Sequence, residues 1–132
     1  MTSNLDLQFA LGNDVTVRDF YRFQIIHNQY VTSIGNVLNN RTFTYVELYD
    51  MPNLNNIDAD AFNESSTSLK YFDVQYTAIG DAGFPFGSLA SYISLLTLYL
   101  KYSNLTKTPT INSTSIQSIY LDGNNIDYID TL

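Results

Sequence analysis

Hydrophobic residues recur along most of the chain at one set of spacings. In four segments, apolar side chains occupy the first, fourth, sixth and about the eleventh position of a common template. The four sets are Phe43, Val46, Leu48 and Leu54; Leu69, Phe72, Val74 and Ile79; Leu95, Leu98, Leu100 and Leu105; and Ile116, Ile119, Leu121 and Ile126. A less regular set precedes them: Phe20, Phe23, Ile25 and Tyr30 or Val31. The segments start at residues 20, 43, 69, 95 and 116, so the starts are 23, 26, 26 and 21 residues apart, which indicates an internal repeat.

The template predicts a short strand at the start of each segment. Side chains alternate along a strand, so positions four and six point inward together. One unit cannot bury that face alone, but units stacked about 4.8 Å apart form a parallel sheet over a continuous core. The second halves carry further apolar residues, among them Leu54 and Ile57, which we expect to fill an irregular or 3-10 convex side.

The first 19 residues follow a different pattern. Leu5, Leu7 and Phe9 alternate with polar residues, and a turn signal follows at 12–14. This predicts N-terminal capping strands over residues 1–19 and about five repeats over residues 20–132. Leu132 falls within the convex half of the last repeat, so we expect a partner or further chain to cover that end of the solenoid.

The last copy, residues 116–129, resembles the consensus of the leucine-rich-repeat family almost position for position. Asn124 matches the ladder asparagine of that family, and Asn28 occupies the same slot in the first copy. The other copies have Met51, Thr77 and Ser103 in this slot, which interrupts the ladder.

The repeats are most similar to the extracellular animal type, and one copy ends in Asp60-Ala61-Phe62. The resemblance implies an α/β-type solenoid, a short arc whose parallel sheet is concave. It also implies recognition of a protein partner through that concave face, without a cofactor.

Composition narrows the possible functions. The chain has 132 residues and a net charge of −7, so it lacks the basic stripe of a nucleic-acid-binding protein. The absence of cysteine excludes disulfides, thiolate metal sites and a cysteine nucleophile. No apolar run of about 18 residues predicts a membrane span. The first residues lack a basic region followed by an apolar stretch, so we expect that a signal peptide has been removed or lies outside this numbering.

Four sequons for N-linked glycosylation, Asn-x-Ser/Thr without proline, fall outside the predicted strands. Their asparagines are Asn40, Asn63, Asn104 and Asn112. A chain rich in Asn, Ser and Thr produces some sequons by chance. Four of them, all in loops, nevertheless favour a secreted glycoprotein that carries N-linked glycan.

Tyrosines concentrate at the outward template positions. Seven of the eleven tyrosines fall there, together with carboxylates. The set predicted to bind a partner is named the tyrosine face, and it comprises Tyr45, Glu47, Tyr49, Tyr71, Asp73, Tyr76, Tyr99, Tyr102 and Tyr120. Tyrosine is enriched at interfaces because its rigid ring loses little entropy on binding. It is also a good strand former, so passive pairing across strands is the alternative interpretation.

Catalytic and metal-binding patterns are weak. His27 is the only histidine, so neither a metal cluster nor a Ser-His-Asp triad is indicated, and we expect it to be an ordinary edge residue. The leading hypothesis is therefore a non-enzymatic extracellular binding module. A structural subunit that self-associates through its solenoid ends is the alternative. A sugar-binding enzyme is a third, in which Glu47 and Asp73 would form an acid–base pair about 5 Å apart on adjacent strands.

Overall fold

A five-stranded parallel β-sheet forms one side of the protein in the computed structural model, which describes residues 19–38, 41–83 and 86–127. The strands of the chain are β1 Asp19–Ile26, β2 Ser33–Ile34, β3 Thr42–Met51, β4 Asn56–Ile57, β5 Tyr71–Thr77, β6 Thr97–Tyr99 and β7 Ser118–Tyr120. The large sheet has the order β1-β3-β5-β6-β7, and every neighbouring pair is parallel. The predicted capping strands over residues 1–18 lie outside the described residues.

The register of the sheet is the one that the hydrophobic spacing predicts. Phe20 pairs with Phe43, and Phe72 pairs with both Val46 and Leu98. Equal template positions therefore lie side by side across the sheet. The predicted parallel sheet is confirmed.

Apolar side chains on the inner face of this sheet form the core. Val46, Leu48 and Leu98 are fully buried, and Phe72 is 1% exposed. On the last strand, β7, Ile119 occupies the same column but is 38% exposed. The burial pattern therefore agrees with inward positions four and six, except where no described strand lies beyond.

The side opposite the large sheet is more ordered than predicted. 3-10 turns occur at Asn36–Leu38, Asn63–Ser65 and Phe86–Ser91, and a four-residue helix, α1, spans Gly80–Gly83. In addition, β2 and β4 form a two-stranded parallel sheet there. The 3-10 turns agree with the predicted irregular or 3-10 side, whereas the small sheet, in which backbone groups of β2 and β4 pair with each other, was not predicted. Among the described residues, no helix has the length and apolarity to cross a membrane.

Asn124 connects two neighbouring turns through its side chain. Its Oδ1 accepts hydrogen bonds from the amides of Ser103 and Leu105 at 2.9 and 3.0 Å. Its Nδ2 donates to the carbonyls of Leu100 and Leu121 at 2.6 and 2.9 Å. Four backbone groups that the sheet leaves free are thereby satisfied.

The other residues at this template position form hydrogen bonds where their side chains have polar groups. Ser103 donates through Oγ to the carbonyl of Val74 at 2.9 Å, and Thr77 Oγ1 donates to Ser103 Oγ at 3.2 Å. Asn28 Oδ1 accepts from two amides of the following turn. Met51, which has no such group, is fully buried in the core.

Buried serines form hydrogen bonds with the backbone near the beginning of the strands. The sequence pattern did not predict that these serines are buried. Ser65 is fully buried, and its Oγ accepts a hydrogen bond from the amide of Phe43 at 2.9 Å. Ser113 is 7% exposed, and its Oγ lies 3.0 and 2.8 Å from the carbonyl oxygens of Ile93 and Leu95. A serine among Ser- and Thr-rich loops carries no sequence signal for burial.

Candidate functional site

The tyrosine face lies on the outer surface of the large sheet and along its border. Glu47 pairs in register with Asp73, which pairs with Tyr99, which in turn pairs with Tyr120. A second column places Tyr45 beside Tyr71. The predicted residues therefore form one surface across β3, β5, β6 and β7, and Tyr76 near the end of β5 and Tyr102 just past β6 border it.

Rings of neighbouring strands stack on one another near the middle of this surface. Tyr45 and Tyr71 have centroids 5.3 Å apart, and the Arg22 guanidinium lies 4.4 Å from the Tyr45 centroid. Tyr99 and Tyr120 are almost parallel, with centroids 4.7 Å apart and an interplanar angle of 4°. These contacts hold the rings in fixed orientations.

A second aromatic group forms at the border where the strands end. Tyr49 meets Tyr76 edge-on at 5.4 Å, and Tyr76 stacks on Tyr102 at 4.7 Å with an angle of 7°. The Tyr102 ring also lies close to Gly123, where an added Cβ would come within 2.3 Å of ring atoms. Tyr102 therefore contacts both Tyr76 and Gly123, yet it remains 48% exposed.

The backbone adopts the same unusual conformation at or near the end of each strand of the large sheet. The residue at this position has a positive φ in all five cases: His27, Asp50, Tyr76, Tyr102 and Gly123, with values between 53° and 73°. Side chains disfavour this conformation by about 1 kcal/mol each, and such strain persists only where surrounding contacts impose it. Of the five residues, only Gly123 is of a type from which the sequence predicts a positive φ.

Asp73 is the least exposed polar residue of the face. It is 6% exposed, and Oδ1 accepts a hydrogen bond from Gln75 Nε2 at 2.7 Å. Burial raises the pKa of Asp73 from its ordinary value of 3.8 to about 6. The hydrogen bond from Gln75 opposes this rise, and the negative charge of Glu47 adds to it. The face thus contains a carboxyl group that titrates close to neutral pH.

Glu47 and Asp73 lie side by side, as the hypothesis of an acid–base pair requires. Glu47 is the more exposed of the two, and its Oε2 accepts a hydrogen bond from Gln24 at 2.6 Å. A general acid must reach the substrate within hydrogen-bonding distance. A glycan would reach the Asp73 carboxyl only after displacing the side chains that cover it.

Two cations also lie on this surface, although the predicted set of tyrosines and carboxylates does not include them. Arg22 covers Tyr45, as described above, and Lys101 forms an ion pair with Asp122 at 3.0 Å. The Lys101 ammonium also lies 5.2 Å from the Tyr120 centroid. Both residues occupy outward template positions, so their location was readable from the sequence, but their contacts with the rings were not.

His27 lies at the border of the sheet and forms an exposed pair with Asp50. Its Nδ1 is 2.7 Å from Asp50 Oδ2, and its ring meets Tyr49 edge-on at 6.1 Å. Within the part of the chain that the structure describes, no three His, Cys, Asp or Glu side chains come together to hold a metal ion. His27 is therefore an exposed residue at the end of β1 that pairs with Asp50.

Three of the four predicted glycosylation sites fall within the described residues, and each of these asparagines is exposed. Asn63 begins a 3-10 turn, and Asn104 follows β6 with a φ of 61°. Asn112 precedes β7 and lines a surface cleft together with Ile116 and Ile119. Asn40 lies outside the described residues.

Comparisons of the chain with protein-family models, with curated proteins and with solved structures found no match.

Proposed function

We propose that the protein is an extracellular binding module of the leucine-rich-repeat type, which recognises a protein partner through the tyrosine face. The observation that carries this proposal is the preorganisation of the rings. Tyr45 stacks on Tyr71, Tyr99 stacks on Tyr120, and Tyr76 stacks on Tyr102. Ordering side chains at an interface costs about 0.5–1.5 kcal/mol for each one, and a surface fixed in advance avoids that cost.

The orientation of the rings indicates which chemistry a partner would meet. One face of each stacked ring lies against a neighbouring ring, so a partner would meet the part of each tyrosine that stays exposed. Tyr76, Tyr102 and Tyr120 are 42%, 48% and 38% exposed. On β3, Glu47 beside Gln24 and Asp50 beside His27 add carboxylates. Such a surface suits a partner that presents basic and hydroxyl-rich groups rather than flat apolar ones.

The repeat class is part of the same proposal. Register partners are separated by 23, 26, 26 and 21 residues along the chain, as in Phe20 with Phe43 and Leu98 with Ile119. The four hydrogen bonds of Asn124 fit the role of a ladder asparagine. Both observations support a solenoid of short, stacked units.

The test is a comparison of partner capture by matched variants. The tagged protein and a variant with Tyr71, Tyr99 and Tyr120 changed to alanine are incubated with extracellular proteins of the source organism. Captured proteins are quantified by mass spectrometry. We expect the variant to lose at least one protein that the wild type retains.

A matched control separates the face from general loss of tyrosine. Tyr30 is 63% exposed and lies outside the tyrosine face, so Tyr30→Ala is expected to capture the same proteins as the wild type. Far-UV circular dichroism verifies that each variant is folded. Undiminished capture by the triple variant would refute the assignment of this surface.

A second function, that of a self-assembling structural subunit, is favoured by one observation. Ile119 in β7 is 38% exposed, and β7 pairs with only one described strand. An open edge of this kind can add a further strand from another copy. Light scattering that shows polymers growing with protein concentration, while the triple variant keeps its captured proteins, would favour this function over the first.

A further inference from the structure

We propose that Asn112 carries an N-linked glycan whose first sugars lie in the adjoining apolar cleft and cover the edge of the sheet at β7. The inference rests on the proposed secretion of the protein, because N-linked glycans are added in the secretory pathway. It concerns a surface separate from the tyrosine face.

The cleft beside Asn112 is small and mainly apolar. Its volume is about 290 Å³, and its lining consists of Ile111, Asn112, Ser113, Thr114, Ile116 and Ile119. This volume is near the lower end of small-ligand clefts, which is on the order of 300 Å³. A sugar ring presents C–H groups that pack on apolar side chains, while its hydroxyls remain in water. The cleft therefore suits one of the first sugars of a glycan.

Among the residues that the structure describes, the cleft also lies where the core is least covered. Leu95 and Leu98 on the preceding unit are fully buried. Ile116 and Ile119 occupy the same two columns one step later, but Ile116 is only partly buried and Ile119 is 38% exposed. Exposed apolar side chains on an edge strand promote association with another chain, so proteins cover or block such edges.

The backbone around the sequon is held in place. Ser113, the middle residue of the sequon, is 7% exposed and lies within 3.0 Å of the carbonyl oxygens of Ile93 and Leu95. Its Oγ also accepts a hydrogen bond from the amide of Ser115 at 3.1 Å. Asn112, in contrast, is exposed and lines the cleft itself. A sugar attached to its Nδ2 consequently starts next to the cleft.

The modification uses one co-reactant, an oligosaccharide linked to a lipid diphosphate. A bond forms between Asn112 Nδ2 and the anomeric carbon of the first sugar. The bond between that carbon and the diphosphate breaks, the lipid diphosphate leaves with the electron pair, and the amide gives up one proton.

The experiment compares three forms of the full chain, each secreted from cultured eukaryotic cells behind an added signal peptide. They are the wild type, Asn112→Gln and the control Asn63→Gln, whose asparagine is equally exposed but lies on a 3-10 turn. Glycopeptide mass spectrometry reports occupancy at Asn112. Light scattering after gel filtration reports the mass in solution over a range of concentrations.

We expect the Asn112 peptide of the wild type to carry glycan, and the wild type and Asn63→Gln to remain monomeric. The mass of Asn112→Gln is expected to rise with concentration to about twice the monomer value or more. Adding Ile119→Lys to Asn112→Gln is expected to restore the monomer, because a charge then occupies the edge.

Three results would overturn the inference: an unoccupied Asn112, a monomeric Asn112→Gln variant, or association that persists after Ile119→Lys. None of these results bears on the tyrosine variants, which test the proposed binding function on other residues. Conversely, unchanged capture by the tyrosine variants leaves the glycan at β7 unaffected.

Discussion

Replacing Asp73 with asparagine should remove a specific pH dependence from the stability of the fold. The Asp73 carboxyl is 6% exposed, and burial raises its pKa from 3.8 to about 6. The folded protein therefore binds this proton more tightly than the unfolded chain does. Between these two pKa values the wild type gains stability as the pH falls, and above about pH 6 the ionised, buried carboxylate destabilises the fold.

The size of the effect follows from the two pKa values. One pH unit of difference corresponds to about 1.4 kcal/mol, so the full change amounts to about 3 kcal/mol. The substituted asparagine does not titrate, yet its amide can still form a hydrogen bond with Gln75 after rotation. We therefore expect Asp73→Asn to be less stable than the wild type, or equal to it, near pH 4, and to gain on it by up to about 3 kcal/mol near pH 7.5.

Urea unfolding followed by far-UV circular dichroism measures this difference at a series of pH values. Asp127→Asn is the control, since it removes an exposed carboxylate outside the tyrosine face. Titration of groups that do not interact with Asp73 affects wild type and variant alike and cancels in the difference. If the wild type and Asp73→Asn lose stability in parallel between about pH 4 and pH 7.5, the burial argument for Asp73 is wrong.

Two further substitutions test the contacts that fix the strand ends. Asn124→Ala leaves four backbone groups without their partners and should lower the free energy of unfolding by about 2–4 kcal/mol. The control is Asn125→Ala at the exposed neighbouring residue, which should change the free energy of unfolding by less than about 0.5 kcal/mol. Urea unfolding measures both. Gly123→Ala places a Cβ within 2.3 Å of the Tyr102 ring at a φ of +73°, so we expect a loss of about 1–2 kcal/mol and a changed near-UV tyrosine circular dichroism signal. Equal stability of Asn124→Ala and Asn125→Ala, or an unchanged near-UV signal for Gly123→Ala, would contradict these assignments.

The sheet was predictable because burial imposes a simple period. Phe43, Val46 and Leu48 reveal the inner face of one strand, and the same spacing recurs in the neighbouring strands. A slip by one residue would turn these side chains outward, so the hydrophobic pattern fixes the register. The opposite side was less predictable, since the pairing of β2 with β4 depends on backbone groups that leave no side-chain signature.

The candidate site was likewise predictable in part. Alternation along the strands determined from the sequence alone that Tyr45, Tyr71, Tyr99 and Tyr120 share the outer surface. Ring orientation depends on distances between residues more than 20 positions apart. Only the tertiary structure could therefore decide that the rings stack on each other.

Asp73 and Ile119 differ in exposure from what the sequence predicts. In the sequence Asp73 is one more polar outward residue, and Ile119 is one more core residue. Packing reverses both expectations, because neighbouring side chains cover the carboxyl while no described strand covers the isoleucine. The sequence by itself determined which positions face inward and which outward. The tertiary structure decided how far each is removed from water, because that depends on the neighbours that the fold places around it.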